Sequence, residues 1–189
     1  MLEGTEKQPT SEEVEAAAGT PTATGIEIKI EGDTLSIACQ ELQEIPTDLE
    51  QRCGGKFVTT RITHADFSFN TLSTIANLDS FTSLRSLVAD NNSLTSSQPK
   101  LPQTLRTLSV NNNSIADLDS FLDSLAPLAQ LRTLSMLKNP ACPSPFFGGD
   151  CDDYARHRLY VISRLPRLEH LDATPVSQHE RAEAVRRGA

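Results

Sequence analysis

Residues 84–94 read LRSLVADNNSL, residues 105–115 read LRTLSVNNNSI, and residues 131–141 read LRTLSMLKNPA. Laid over one another, they put Leu84, Leu105 and Leu131 at one position and Leu87, Leu108 and Leu134 three further on. Ala89, Val110 and Met136 follow, then Asn92, Asn113 and Asn139, and finally Leu94, Ile115 and Ala141. An earlier copy holds Ile62, Ala65, Phe67, Asn70 and Leu72, and an imperfect one in LSIACQEL holds Leu35, Ile37, Gln40 and Leu42. The asparagines at 70, 92, 113 and 139 are 22, 21 and 26 residues apart. Alternate apolar residues define a short strand with one buried face. An Asn just beyond it can satisfy backbone groups where the chain turns away.

Repetition of LxxLxLxxNxL is the signature of the leucine-rich repeat, in which stacked units build one parallel sheet. The expected fold is therefore α/β: a short horseshoe solenoid with its parallel sheet on the concave face. Working outward toward the N-terminus, Ile26, Ile28 and Ile30 alternate with Glu27 and Lys29, and Glu31-Gly32-Asp33 turns the chain into Leu35 and Ile37. This pattern predicts a β-hairpin covering the first edge of the solenoid. Residues 1–25 carry five acids, one lysine and almost no large apolar side chains. They read as a disordered acidic tail.

Between strands, STIANLDSFTS (residues 73–83) and ADLDSFLDSLAPLAQ (residues 116–130) are expected to form helical turns, the latter with Leu118, Phe121, Leu122, Leu125 and Leu128 at helical spacing. Pro99 and Pro102 predict an extended connection in the segment between them. Beyond Asn139 a Pro- and Gly-rich loop leads to a helix over about 152–164, a last strand at Leu168, Leu171 and Asp172, and a final helix over 176–187. Asp150, Asp152 and Asp153 are read as acids at a helix N-terminus rather than as calcium ligands. The division that follows is a tail at 1–25 and one domain at 26–189. That domain has a cap and imperfect repeat at 26–61, repeats at 62–145 and a helical cap at 146–189.

The formal net charge is −8. No cluster of Lys and Arg forms the basic field that phosphate binding requires, so direct nucleic-acid binding is not expected. No stretch approaches a membrane span, and the opening MLEGTEKQPTSEEVE lacks the shape of a secretory leader, which predicts a cytoplasmic protein without membrane insertion. Cys39, Cys53, Cys142 and Cys151 have neither CxxC spacing nor a His at zinc spacing. They are expected as reduced thiols, with Cys39–Cys53 and Cys142–Cys151 disulfides as the alternative. His64, His157, His170 and His179 stand near no recognisable nucleophile motif, and Gly54-Gly55-Lys56 lacks the spacing of a phosphate loop. No catalytic set, metal site or cofactor is expected.

The residues between the inward leucines should project from the concave face and form the binding surface: His64, Asp66 and Ser68; Ser86, Val88 and Asp90; Thr107, Ser109 and Asn111; Thr133, Ser135 and Leu137. Val88 and Leu137 give this polar, mildly acidic face an apolar component suited to a protein partner. Arg85, Arg106 and Arg132 hold the same place in three successive repeats and should form a ladder along one edge, covering strand ends or docking an acidic partner.

The series Tyr154, Arg158, Val161, Ile162, Leu165, Pro166, Leu168, Leu171 and Asp172, followed by Val176, Glu180 and Arg181, resembles the cap of the spliceosomal U2 A-prime class of repeat proteins. LxxLSxLxNxACP, the acidic DDY, RLPRLEHLDA and ERAEAVRRG resemble the leucine-rich melanocyte differentiation-associated group more closely. That resemblance implies a non-catalytic adaptor in endolysosomal or melanosome-type vesicle traffic, recruited by a Rab-type small GTPase; a monomer is expected. The alternatives are a ribonucleoprotein component and a regulatory subunit of an enzyme such as a phosphatase.

Overall fold

The computed structural model describes residues 25–143 and 150–187. Nearly all of the acidic tail, and residues 144–149 of the Pro- and Gly-rich loop, lie outside the described residues. One eight-stranded sheet runs in chain order: β1 (Lys29–Glu31), β2 (Thr34–Ser36), β3 (His64–Asp66), β4 (Ser86–Val88), β5 (Thr107–Ser109), β6 (Thr133–Ser135), β7 (His170–Leu171) and β8 (Thr174–Pro175). Strands β2 to β7 pair parallel, and each end closes with an antiparallel partner. In register, Leu35, Ala65, Leu87, Leu108, Leu134 and Leu171 form one inward row through the sheet. They belong to a single buried core. Burial of each such leucine stabilises the fold by about 1.5–3 kcal/mol.

The asparagines act as the sequence implied. Asn113 Oδ1 accepts from Leu94 N at 2.9 Å, while Nδ2 donates to Ala89 O and Val110 O at 3.0 Å each. Asn70, Asn92 and Asn139 repeat this pattern one unit apart. Gln40 holds the equivalent place in the imperfect repeat, and its side chain instead accepts from Glu27 N at 2.7 Å, tying the hairpin to the first unit.

Immediately before each of these positions the backbone enters the left-handed region, at Cys39, Phe69, Asn91, Asn112 and Lys138, with φ between 53° and 60°. Asn tolerates that conformation, whereas Phe does so only at a cost. Phe69→Asn is therefore expected to raise stability by about 0.5–1 kcal/mol. This corresponds to about 1–4 °C in melting temperature. A thermal melt showing no gain would mean that Phe69 has compensating contacts.

On the convex side, α3 (Leu118–Leu125) forms where helical spacing predicted it, capped by the Asp117 side chain and burying Phe121, Leu122 and Leu125. The segment 73–83 departs from expectation and contains turns but no helix. Its apolar residues Ile75, Leu78 and Phe81 are buried at three-residue intervals. Asn77 lies at φ 63°, which breaks any helical run, and its side chain donates to Ile45 O at 2.7 Å. The Pro-containing segment after β4 holds no helix or strand, only a bend at Ser96 and a turn at Gln103-Thr104. It supplies the buried Gln98, whose Oε1 accepts from Ile75 N at 2.9 Å.

Two one-turn helices, α1 (Leu49–Arg52) and α2 (Lys56–Thr59), were not anticipated. The turn at Gly54-Gly55 joins them, both glycines having positive φ. The C-terminal cap comprises α4 (Cys151–Arg164) and α5 (Gln178–Arg187), with the β7–β8 hairpin between them. Asp150 and Asp153 form a reciprocal capping box at the start of α4, the role read for them from sequence. All four cysteines are free thiols, so neither alternative disulfide forms.

Candidate binding face

Three rows of side chains cross the concave surface. Thr34, His64, Ser86, Thr107, Thr133 and His170 align in the first, and Ser36, Asp66, Val88, Ser109 and Ser135 in the second. Ser68, Asp90, Asn111 and Leu137 follow two residues beyond as the third. Most of these residues are half-buried by one another; Thr34, His64 and His170 are exposed, and Leu137 is 38% exposed. Two expectations need correction. Val88 is half-buried rather than open, and Ser68 is 6% exposed, because the chain turns inward there toward the buried Asn70. The side chain presented at that end of the row is instead Phe69, 60% exposed, whose left-handed backbone aims it outward.

The polar residues of the second and third rows are held by one another. Asp90 Oδ1 accepts from Ser109 Oγ at 2.8 Å and Asn111 N at 2.7 Å. Asn111 Oδ1 in turn accepts from Ser135 Oγ and Leu137 N, both at 2.8 Å. This chain of bonds spans β4, β5 and β6, so the face is ordered before anything binds.

The edge ladder forms through the backbone. Arg85 N donates to Thr63 O, Arg106 N to Arg85 O, and Arg132 N to Arg106 O, each at 2.8 Å. The same row continues past both ends: Thr63 N donates to Asp33 O, and Glu169 N to Arg132 O. Its charges therefore run from acid through three cations to acid. Glu169 pairs with Arg132 at 3.4 Å. Arg85 and Arg106 are exposed and make no ion pair among the described residues.

A second group was invisible to spacing. Cys142 at the exit of the last repeat, His157 on α4 and Asp172 in the β7–β8 turn are all buried, and one ligand atom from each lies within 4.8 Å of the others. Burial first, and the Asp172 carboxylate second, push the Cys142 thiol up to about 12. Burial also pushes the His157 imidazole below its ordinary value, against the pull of Asp172, leaving the ring neutral at pH 7. Nearby, Arg158 donates to Glu180 Oε1 at 2.9 Å and Leu171 O at 2.8 Å, joining α4, the hairpin and α5.

No helix among the described residues is long and apolar enough to cross a membrane. The concave face offers a broad, ordered surface.

Comparison with known proteins agrees with this architecture. The chain is 44% identical over 116 residues to the leucine-rich melanocyte differentiation-associated protein of Homo sapiens, a match covering 59% of this chain and 58% of that protein. It is 32% identical over 122 residues to the U2 small nuclear ribonucleoprotein A' of Schizosaccharomyces pombe, covering 63% of this chain and 46% of that one. The chain thus spans about half the length of the curated relatives it matches. Among solved structures, a chain of the Drosophila melanogaster SNF/U2A' complex superposes with a TM-score of 0.64 at 22% identity, covering 81% of this chain and 79% of that one. Human 5T4, the trophoblast glycoprotein, superposes with a TM-score of 0.52 at 18% identity, covering 79% and 62%. The family model for the leucine-rich repeat matches residues 58–187, the span from α2 through α5, and the chain belongs to the leucine-rich-repeat family.

Proposed function

We propose that this protein is a non-catalytic adaptor that holds one folded protein partner against its concave sheet. The observation that carries this reading is the hydrogen-bonded row Asp90–Ser109–Asn111–Ser135, which fixes the polar side chains of a curved surface in advance. A preordered face avoids much of the entropy that binding otherwise costs. Leu137 provides an apolar contact beside this row, and Arg85 and Arg106, which pair with no acid among the described residues, provide charge along its edge. Tyr, Trp and Arg most often dominate binding energy at interfaces, and here the exposed anchors are Arg side chains, Leu137 and Phe69.

In the finer reading, the partner is a Rab-type small GTPase or its complex, and the protein serves cytoplasmic vesicle traffic. This is supported by the 44% identity to the melanocyte differentiation-associated protein. The relatives named U2 small nuclear ribonucleoprotein A' favour a second reading, in which the same face holds a protein component of a ribonucleoprotein particle.

Affinity capture from cells, with the wild type beside the Val88→Asp/Leu137→Asp variant, separates the two. The variant is expected to keep its melting temperature within a few degrees and to lose its partner at least tenfold. Loss of a small GTPase or trafficking complex supports the adaptor reading. Loss of RNA-binding proteins supports the ribonucleoprotein reading. Identical capture by both forms would exclude the concave face as the binding site.

A further inference from the structure

We propose that Cys142, His157 and Asp172 form a zinc-binding site that pins the C-terminal cap to the last repeat. Three kinds of observation converge on it. The donors are a thiol, an imidazole and a carboxylate, the mixed sulfur, nitrogen and oxygen set that suits Zn²⁺ and not the all-oxygen shells of calcium or magnesium. They come from three different elements: the exit of the fourth repeat, the middle of α4 and the turn between β7 and β8. Finally, His157 is only 5% exposed, yet neither Nδ1 nor Nε2 has a hydrogen-bond partner among the described residues. A buried imidazole in a native structure ordinarily satisfies at least one ring nitrogen, and an orphan of this kind calls for a ligand.

The surroundings support the assignment. Asp172 is aimed by two hydrogen bonds: Oδ1 accepts from Met136 N at 2.8 Å, and Oδ2 accepts from the Tyr154 hydroxyl at 2.9 Å. Outer contacts of this type orient carboxylates in metal sites. The three ligand atoms lie within 4.8 Å of one another. Zinc bond lengths place tetrahedral ligands about 3.3–3.8 Å apart, so closing the shell needs shifts of roughly an ångström or less. Cys142 also lines a cavity of about 280 Å³, together with Asn113, Lys138, Asn139, Pro140 and Pro143. On binding, the thiol gives up its proton to solvent and the sulfur coordinates as thiolate, with the neutral imidazole and the carboxylate completing three of four positions; water supplies the fourth. No motif spacing foretells the site, because its residues lie fifteen apart in sequence and meet only when the cap docks.

The inference is independent of what the concave face binds. It is tested on the full chain, stripped with chelator and titrated with Zn²⁺ or with Co²⁺ as a spectroscopic probe. The wild type is expected to bind one equivalent of Zn²⁺ and to show a thiolate-to-cobalt charge-transfer band with Co²⁺. With free Zn²⁺ at about 100 times its dissociation constant, the melting temperature is expected to rise by roughly 5–10 °C. His157→Phe, which fills the buried volume without a ligand atom, is expected to melt cooperatively and to lose all three responses. Cys142→Ala is expected to lose the charge-transfer band, while Cys151→Ala and His179→Ala retain it. Absence of a thiolate band in the wild type would overturn the proposal. So would an equal zinc response in His157→Phe, which would place the metal on exposed groups instead.

Discussion

Arg158→Ala is expected to lower the melting temperature by about 6–12 °C and to loosen α5 before the repeats unfold. The Arg158 side chain is only 8% exposed and that of its partner Glu180 28%. The guanidinium donates to the Glu180 carboxylate, to Leu171 O and, more weakly at 3.5 Å, to Pro175 O. Glu180 simultaneously closes the start of α5, where its other oxygen accepts from Ser177 N and the Ser177 hydroxyl at 2.9 Å. Burial alone would raise the Glu180 carboxyl, but Arg158 and Ser177 outweigh it and hold it below the ordinary range. Truncating Arg158 removes the donor to Glu180 Oε1 and to two backbone carbonyls, with Ser177 still holding Glu180 Oε2; breaking a fully buried pair costs about 3–5 kcal/mol. The lower part of that range applies because Glu180 can still reach water. Thermal melts followed by circular dichroism measure the loss, and amide exchange locates it. Arg158→Met combined with Glu180→Leu should recover much of the stability, since an apolar pair needs no counter-charge. A drop smaller than 2 °C in the single variant would show that the pair does not hold the cap.

Asn113→Ala is expected to cost about 2–3 kcal/mol, somewhat less than Arg158→Ala and spread through the middle of the solenoid. Asn113 is buried and serves two neighbouring units at once: it accepts from Leu94 N and donates to Ala89 O in the preceding repeat and to Val110 O in its own. Alanine removes every one of these bonds: Leu94 N loses its side-chain acceptor, while Ala89 O keeps only Asn92 Nδ2 at 3.2 Å and Val110 O only Asn139 Nδ2 at 2.9 Å. An Asn113→Asp variant keeps the acceptor but loses the donor and adds a buried charge, so it should be no better. Gln40 replaces Asn only at the terminal unit, where its side chain serves Glu27 rather than a following repeat. Chemical denaturation provides the measurement. A midpoint unchanged by Asn113→Ala would mean that the turn is held by leucine packing alone.

Much of the fold was legible because the repeats state the same physics several times. Leu87, Leu108 and Leu134 occupy equivalent inward positions, and the aligned asparagines fix the turns, so strand register follows from sequence alone. Helix α3 was legible for a similar reason, since its apolar spacing coincides with an Asp cap. Residues 73–83 carry comparable apolar spacing but no helix. Their course is decided by Asn77 and Gln98, which bond to the neighbouring units, and single-segment periodicity cannot register such contacts. Strand β8 was missed because two residues ending in Pro175 give no alternation to read.

On the concave face, alternation correctly separated inward from outward side chains within the strands. It gave no indication of how much those outward residues shield one another, which left Val88 half-buried, nor of the exit turn, which buried Ser68 and exposed Phe69. The arginine ladder was visible as a spacing, but the acids that continue it came from the hairpin and the cap. Asp33 lies 30 residues before Thr63, and Glu169 lies 37 beyond Arg132. Only tertiary contact reveals that they share one row. His157 illustrates the same limit: one turn of α4 separates it from Tyr154, and nothing in that local sequence distinguishes a buried ring from a solvated one.

The reversal of chain direction at both ends of the sheet bears on how the molecule behaves when crowded with its own kind. Parallel strands β2 to β7 would otherwise leave two open borders, each a template on which another copy could extend the sheet. Instead, β1 presents Lys29 and Glu31 outward beside Glu27, and β8 is two residues long and ends in Pro175, which has no amide hydrogen to donate. Charge, brevity and proline are the devices by which natural sheets discourage edge-to-edge growth. The two hairpins therefore do more than complete the solenoid: they make strand-by-strand polymerisation into fibrils unfavourable at either border.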